Sequence, residues 1–341
     1  MAKKVPPQLK VPKNLDNSKE PVARKLELEI RREVSCYLST MSKYFASKKE
    51  YEAALASLAS IQLLDLQIER ASGNRSFDIL AYVIAISSKS YFNDALTSIL
   101  PVIDLPAATL KEWTELFSEL YHEITPLKVA VECDRVEFLS IYEEQNQTLL
   151  SKLIPVMKAG RDPEMIKKYV DPNYEPILKI LDKPFTQEAY SSLVKHLEKI
   201  ETEIAALEKK LSDTRQSLSL SKQIEQLFLT QVAIYWTFNA PSLKKHAKFA
   251  IEKKRQMSGL INAMGLKAYE KEFGCLPESL GKVEEWLGFR LPKDPVGEKN
   301  FIYNPENKEK TLYGEKIDSS NSEIFVDWDY ARKDTVFIPL N

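Results

Sequence analysis

Residues 268–303, "AYEKEFGCLPESLGKVEEWLGFRLPKDPVGEKNFIY", break the rhythm of everything that precedes them. Gly274, Gly281, Gly288 and Gly297 are interleaved there with Pro277, Pro292 and Pro295. Glycine allows the positive φ that a tight reversal needs, and proline stops a helix from running on. The stretch predicts a long helix ending at Gly274 and a short helix over "PESLGKVEEWLGF", opened by Pro277. A sharp turn at "LPKDPVG" then feeds the first strand.

Working outward, only Gly73 and Gly160 occur before Gly259. So little glycine leaves few positions for β-hairpin turns, which helices do not need. Prolines in "SILPVIDLPAATL" and "AGRDPEMIKKYVDPNYEPILKILDKPFT" sit where helices begin or end. The pattern predicts helices near 21–47, 49–71, 75–88, 90–100, 107–124 and 126–158. Shorter ones follow near 163–169 and 173–181, then long ones over 186–237 and 242–273. At "DLPAATLKEW", Asp104 or a neighbour is expected to cap a helix that Pro106 opens. Beyond residue 295 the runs "FIYN", "TLYGE", "EIFVDW" and "TVFIPL" are short, aromatic and β-branched, as strands are. The fold class expected is mainly α, a multi-helix, bundle-like body with a small α+β module at the C-terminus. Its divisions are a flexible leader (1–20), an all-helical domain (21–241), and a long helix with a small antiparallel sheet (242–341).

The bulk numbers exclude some function classes. In 341 residues, 44% hydrophobic and 28% charged side chains are ordinary for a folded chain, and 48 basic residues nearly cancel 49 acidic ones. No global field points to nucleic acid, so none is expected as a partner. Cys36, Cys133 and Cys275 are odd in number and far apart, which predicts buried free thiols rather than a disulfide framework. No run of about 18 apolar residues crosses a bilayer. The expected compartment is cytoplasmic, or periplasmic and envelope-associated where an upstream signal or anchor is missing from this chain.

Within "LVKHLEKIETEIAALEKKL", Leu193, Leu197, Ile200, Ile204, Leu207 and Leu211 recur at heptad spacing. The narrow stripe needs a partner helix. An antiparallel arm within the chain is one covering; a protein partner or self-association through the 193–211 seam is another. "EYEAALASLASI" and "YFNDALTSILPVI" match loosely at an offset of about 41 residues, a spacing found in helical repeats.

The C-terminal order carries a resemblance. A long amphipathic helix, "AYEKEFGCLPESL", "LPKDPVG" and an aromatic pair resembles the globular module of bacterial type II secretion major pseudopilins. The matching residues are Tyr269, Gly274, Pro277, Leu291, Pro292, Asp294, Pro295 and Gly297, with Phe301 and Tyr303 as the pair. A looser likeness to a broad set of bacterial proteins with helical bodies extends over about residues 100–341. The resemblance implies a pilin-like terminal fold and an envelope setting. It also implies a closing calcium loop, whose place is held by "KIDSSNSEIFVDWD" without the glycines. Asp318, Asn321 and Glu323 are its oxygen donors, at a spacing that matches no EF-hand. The expectation is no metal and no cofactor.

Chemistry-bearing motifs are sparse. Glycine-rich phosphate loops and the nucleophile elbow are missing from the sequence. Glu119 and His122 make one E-x-x-H, half of what a di-iron bundle requires. Glu132, Asp134 and Glu137 share one predicted helix and read as a solvated face. "PSLKKHAKFAIEKKRQ" is the strongest basic patch; it reads as a solvated helix face, with an anionic membrane surface as its alternative use. The function expected is a non-enzymatic scaffold or protein-interaction protein. The alternatives are an enzyme with a dispersed, motif-less active site and a helical-repeat adaptor.

Overall fold

A computed structural model describes residues 21–71, 79–144, 163–182, 186–213, 220–296, 298–304 and 311–313. The chain opens with α1 (Pro21–Ser47), α2 (Tyr51–Ala71) and α3 (Ile79–Ile99), packed against one another. Lys49 turns α1 into α2 at φ +63°, and the N–H of Glu50 donates to the Phe45 carbonyl at 2.9 Å. The two helices expected over 75–88 and 90–100 are one. Ser88, Lys89 and Ser90 carry no breaker, and Ser88 is buried in the middle of α3. A 3-10 turn, Leu100–Val102, follows.

Next come α4 (Ala107–His122) and α5 (Leu127–Glu144). Pro106 occupies the cap position of α4, and no side chain caps it. Asp104, expected to cap, instead meets the ammonium of Lys271 at 2.5 Å. Pro163–Met165, a π-turn over Ile166–Val170 and α6 (Asp171–Leu181) form one continuous helical run where two were expected. The run passes through both Pro172 and Pro176.

Two long helices complete the body, α7 (Gln187–Asp213) and α8 (Leu220–Phe273). The expected break between 237 and 242 does not occur. α8 passes through Pro241 and runs for 54 residues, about 80 Å at the helical rise. The reason is packing. Val232, Trp236, Ala240, Leu243, Ala247 and Ala250 are buried at helical spacing on both sides of the proline. That continuous face outweighs the roughly 3 kcal/mol a mid-helix proline costs. The boundary expected at 241/242 therefore falls inside one helix.

α8 links two hydrophobic clusters. Its first half packs with Leu28, α3, α5, α6 and α7, around Trp236 and Tyr174. Its second half, Met257 to Ala268, packs with α2, α3, α4 and the C-terminal module. Gly274 ends it at φ +69°, as expected, its N–H donating to the Glu270 carbonyl at 2.8 Å. α9 (Leu280–Leu287) closes on Gly288 at φ +80°. β1 (Ile302–Asn304) and β2 (Thr311–Tyr313) pair antiparallel, Tyr303 opposite Leu312. Phe301 and Leu312 enter the same core as α9. Among the described residues, strand is confined to this hairpin and one bridge between Asp294 and Lys299. Cys133 is buried, whereas Cys36 is half-buried and Cys275 is exposed in the turn after α8; all three are free thiols.

Candidate functional site

α1 is apolar on two sides. Toward α2 and α3 it turns Leu28, Ser35, Ser39, Ser42 and Ala46, all buried, with Leu38 and Phe45 partly buried against the core. Ser35 satisfies its hydroxyl on the Arg31 carbonyl at 3.1 Å, and Ser39 donates to the Tyr91 carbonyl at 3.0 Å. On the opposite side a second set of large apolar residues faces outward. Leu26 is 56% exposed, Ile30 54%, Val34 39%, Tyr37 63% and Tyr44 53%. At about 100° per residue, Leu26, Ile30, Tyr37 and Tyr44 lie on one stripe roughly opposite the serines. It is about 27 Å long. Sequence reasoning passed over this stripe, because leucine, isoleucine and tyrosine at helical spacing read as a core face. The signal was the second periodic set on the same helix, made of serine and alanine.

The "LPKDPVG" turn, picked out as structural, is held by α8. Arg255 Nη2 meets Asp294 Oδ2 at 2.8 Å. Asn262 Nδ2 donates to the Pro292 carbonyl at 2.8 Å, and the Leu291 N–H donates to Glu284 at 3.0 Å. Asp294 also accepts from the Val296 N–H at 2.9 Å, closing the turn locally. Pro277 and Pro292 are buried, while Pro295 and Tyr303 are half-buried. Gly297 lies outside the described residues, as do Asp318, Asn321 and Glu323.

Between this turn, the ends of α4 and α6, the start of α5 and the middle of α8 runs a cleft of about 660 Å³. Its floor is apolar, with Ile86, Leu127, Ala250 and Leu291. Lys254, Arg290, Lys293 and His122 also line it, as do the carboxylates Asp182, Asp294 and Glu298. Lys254 lies 5.1 Å from the Tyr121 ring, a cation–π contact, and burial pushes the Tyr121 phenol well above its ordinary range. Asp182 is matched by Lys128 at 2.5 Å, a hydrogen bond that holds the ammonium above its usual range.

The other candidates separate. Leu193, Leu197 and Ile200 are buried against α6 and α8, so the chain itself covers that half of the heptad seam. Ile204 and Leu207 are half-buried, and the Leu211 side chain lies outside the described residues. Asp134, read as part of a solvated face, instead accepts the Tyr174 hydroxyl at 3.0 Å and that of Tyr235, tying α5, α6 and α8 together. Burial and the Asp134 charge push the Tyr174 phenol far up. Glu132 is exposed, and the Glu137 side chain lies outside the described residues.

The basic patch is not a solvated face throughout. Lys253 and Arg255 are buried, because α8 there passes between α3 and the terminal turn. Asn93 Nδ2 donates to the Lys253 carbonyl at 3.0 Å, and Arg255 is taken by Asp294. Glu119 and His122 are exposed. Among the described residues no three His, Cys, Asp or Glu side chains gather as metal ligands, and no helix is long and apolar enough to cross a membrane. Compared with known proteins, the chain matches no family model, no curated sequence and no solved structure.

Proposed function

We propose that this chain is a non-enzymatic scaffold whose work is protein interaction, with the outward face of α1 as its docking surface. The observation that carries the reading is the exposed apolar stripe of α1. Fully burying a leucine or isoleucine side chain stabilises by about 1.5–3 kcal/mol. This helix buries Leu28 and packs Leu38 and Phe45 on the core, yet turns Leu26, Ile30, Tyr37 and Tyr44 to water. Single exposed apolar residues need no explanation, but a contiguous stripe of them marks an interaction site. The terminal module's likeness to type II secretion pseudopilins adds a setting, the bacterial envelope, where such a scaffold works beside other proteins.

The test is site-specific photo-crosslinking from position 37 in the cells that make the protein. A discrete adduct is expected from Tyr37 and none from Lys179, a surface position 78% exposed on α6. Ile30→Lys with Tyr44→Lys should abolish the adduct and leave the melting temperature unchanged. No adduct from position 37 overturns the reading.

A further inference from the structure

We infer that the cleft beside the Asp294 turn is a binding site for a small amphiphilic oxyanion, a carboxylate or phosphate group on an apolar body. The inference is independent of the α1 face. A cleft of about 660 Å³ is of the size that takes a small organic molecule, and such sites are apolar with a few convergent polar groups. This one lies where the two hydrophobic clusters meet. Tyr82, Ile86, Leu127 and Ala250 belong to one cluster, Tyr121 and Leu291 to the other. All six are less than a tenth exposed, so they form a fixed apolar wall into which only the two phenols bring a polar atom.

Charge gathers at one end of the cleft. Arg255 meets the buried Asp294 at 2.8 Å, and that pair brings together Lys254 of α8 with Arg290 and Lys293 of the segment after α9. All three cations line the cleft, as do Asp294 and Glu298. Around the pair, Lys254, Arg255, Arg290 and Lys293 stand against Asp294 and Glu298, an excess of two positive charges. The other charged groups of the lining balance. Lys128 and Asp182 meet at 2.5 Å, and the buried Lys89 is matched at 4.0 Å by Asp65, which does not line the cleft. A cationic or neutral molecule would leave the excess uncompensated. An oxyanion meets it, and arginine presents two donors at once to carboxylate or phosphate oxygens. Lys254 stands 5.1 Å from the Tyr121 ring, which sets its charge at the boundary between the apolar wall and the cationic end. The bound molecule therefore lays its apolar body along Ile86, Leu127 and Ala250 and turns its oxyanion toward Lys254, Arg290 and Lys293.

Calorimetric titration of the whole chain with octanoate and with octyl phosphate tests this. One molecule per chain is expected to bind, and the tighter of the two names the headgroup the site takes. From hexanoate to octanoate each added methylene should tighten binding about fourfold. Acetate and inorganic phosphate, which lack the apolar body, and octyltrimethylammonium, which lacks the negative charge, should not bind. Arg290→Gln with Lys293→Gln should weaken octanoate roughly tenfold or more at an unchanged melting temperature, since both side chains are exposed. Ile30→Lys with Tyr44→Lys should leave octanoate binding as it is; its loss there would seat the molecule on α1 and overturn the assignment to the cleft. Failure of both octanoate and octyl phosphate to bind, equal binding of octyltrimethylammonium, or undiminished affinity in the Arg290 and Lys293 double variant each overturns the proposal.

Discussion

Arg255 in α8 and Asp294 in the terminal turn form an ion pair of 2.8 Å whose side chains are both less than a tenth exposed. The turn also rests on Asn262, about two turns further along the same face of α8, through the Pro292 carbonyl. α8 thus holds the turn at two points about two helical turns apart. Removing one partner of a buried pair leaves the other charge unmatched, at about 3–5 kcal/mol. Asp294→Ala is therefore expected to lower the chain's stability by about that amount in urea unfolding. Asp294→Asn keeps an acceptor for the Val296 N–H and should cost less. Equal stability of Asp294→Ala and the parent would show that the turn does not depend on α8.

The heptad seam gives a graded expectation. Leu197 is fully buried, and truncation to alanine should cost about 2–5 kcal/mol. Ile204 lies only half-buried at the edge of the same cluster, so Ile204→Asp should lower the melting temperature by less than Leu197→Ala does. The reverse order would place the seam's covering partner beyond Ile200 rather than before it.

Gly265 sits where α8 meets α9. A Cβ there would stand 3.2 Å from Leu291 Cδ2 and 3.4 Å from Leu287 Cδ1. A valine at this point overpacks a filled contact, and Gly265→Val should destabilise by about 1–3 kcal/mol. Thermal unfolding that spares the variant would mean α9 shifts freely along α8.

Two histidines set an acid limb of stability. Burial lowers the affinity of His196 and of His246 for a proton, with Lys199 and Lys245 adding to it. In the unfolded chain both take a proton near the ordinary value of about 6.5. Below that value the unfolded state binds more protons than the folded one, so stability falls as pH drops. The melting temperature should decline from about pH 6.5 downward, before most carboxylates titrate, and His196→Gln with His246→Gln should flatten that part of the curve. A curve unchanged by the double variant would assign the decline elsewhere.

What the sequence by itself determined was local. Scarce glycine before residue 259 and the heptad and prolines of the body required helix, and helix is what the described residues form. The cluster of Gly274, Pro277, Pro292 and Pro295 required the end of that regime, because φ preferences and missing N–H groups act within a few residues. Tertiary structure decided whatever depends on neighbours distant in the chain. It carried α8 through Pro241, because a buried face on both sides outweighs one broken hydrogen bond. It buried Arg255 against Asp294, 39 residues away, and set the half-buried Asp134 to accept from Tyr174, 40 residues away. It also left one apolar stripe of α1, Leu26, Ile30, Tyr37 and Tyr44, facing outward. Periodicity marks that a helix has two faces; which face meets the rest of the molecule is settled only by what stands beside it.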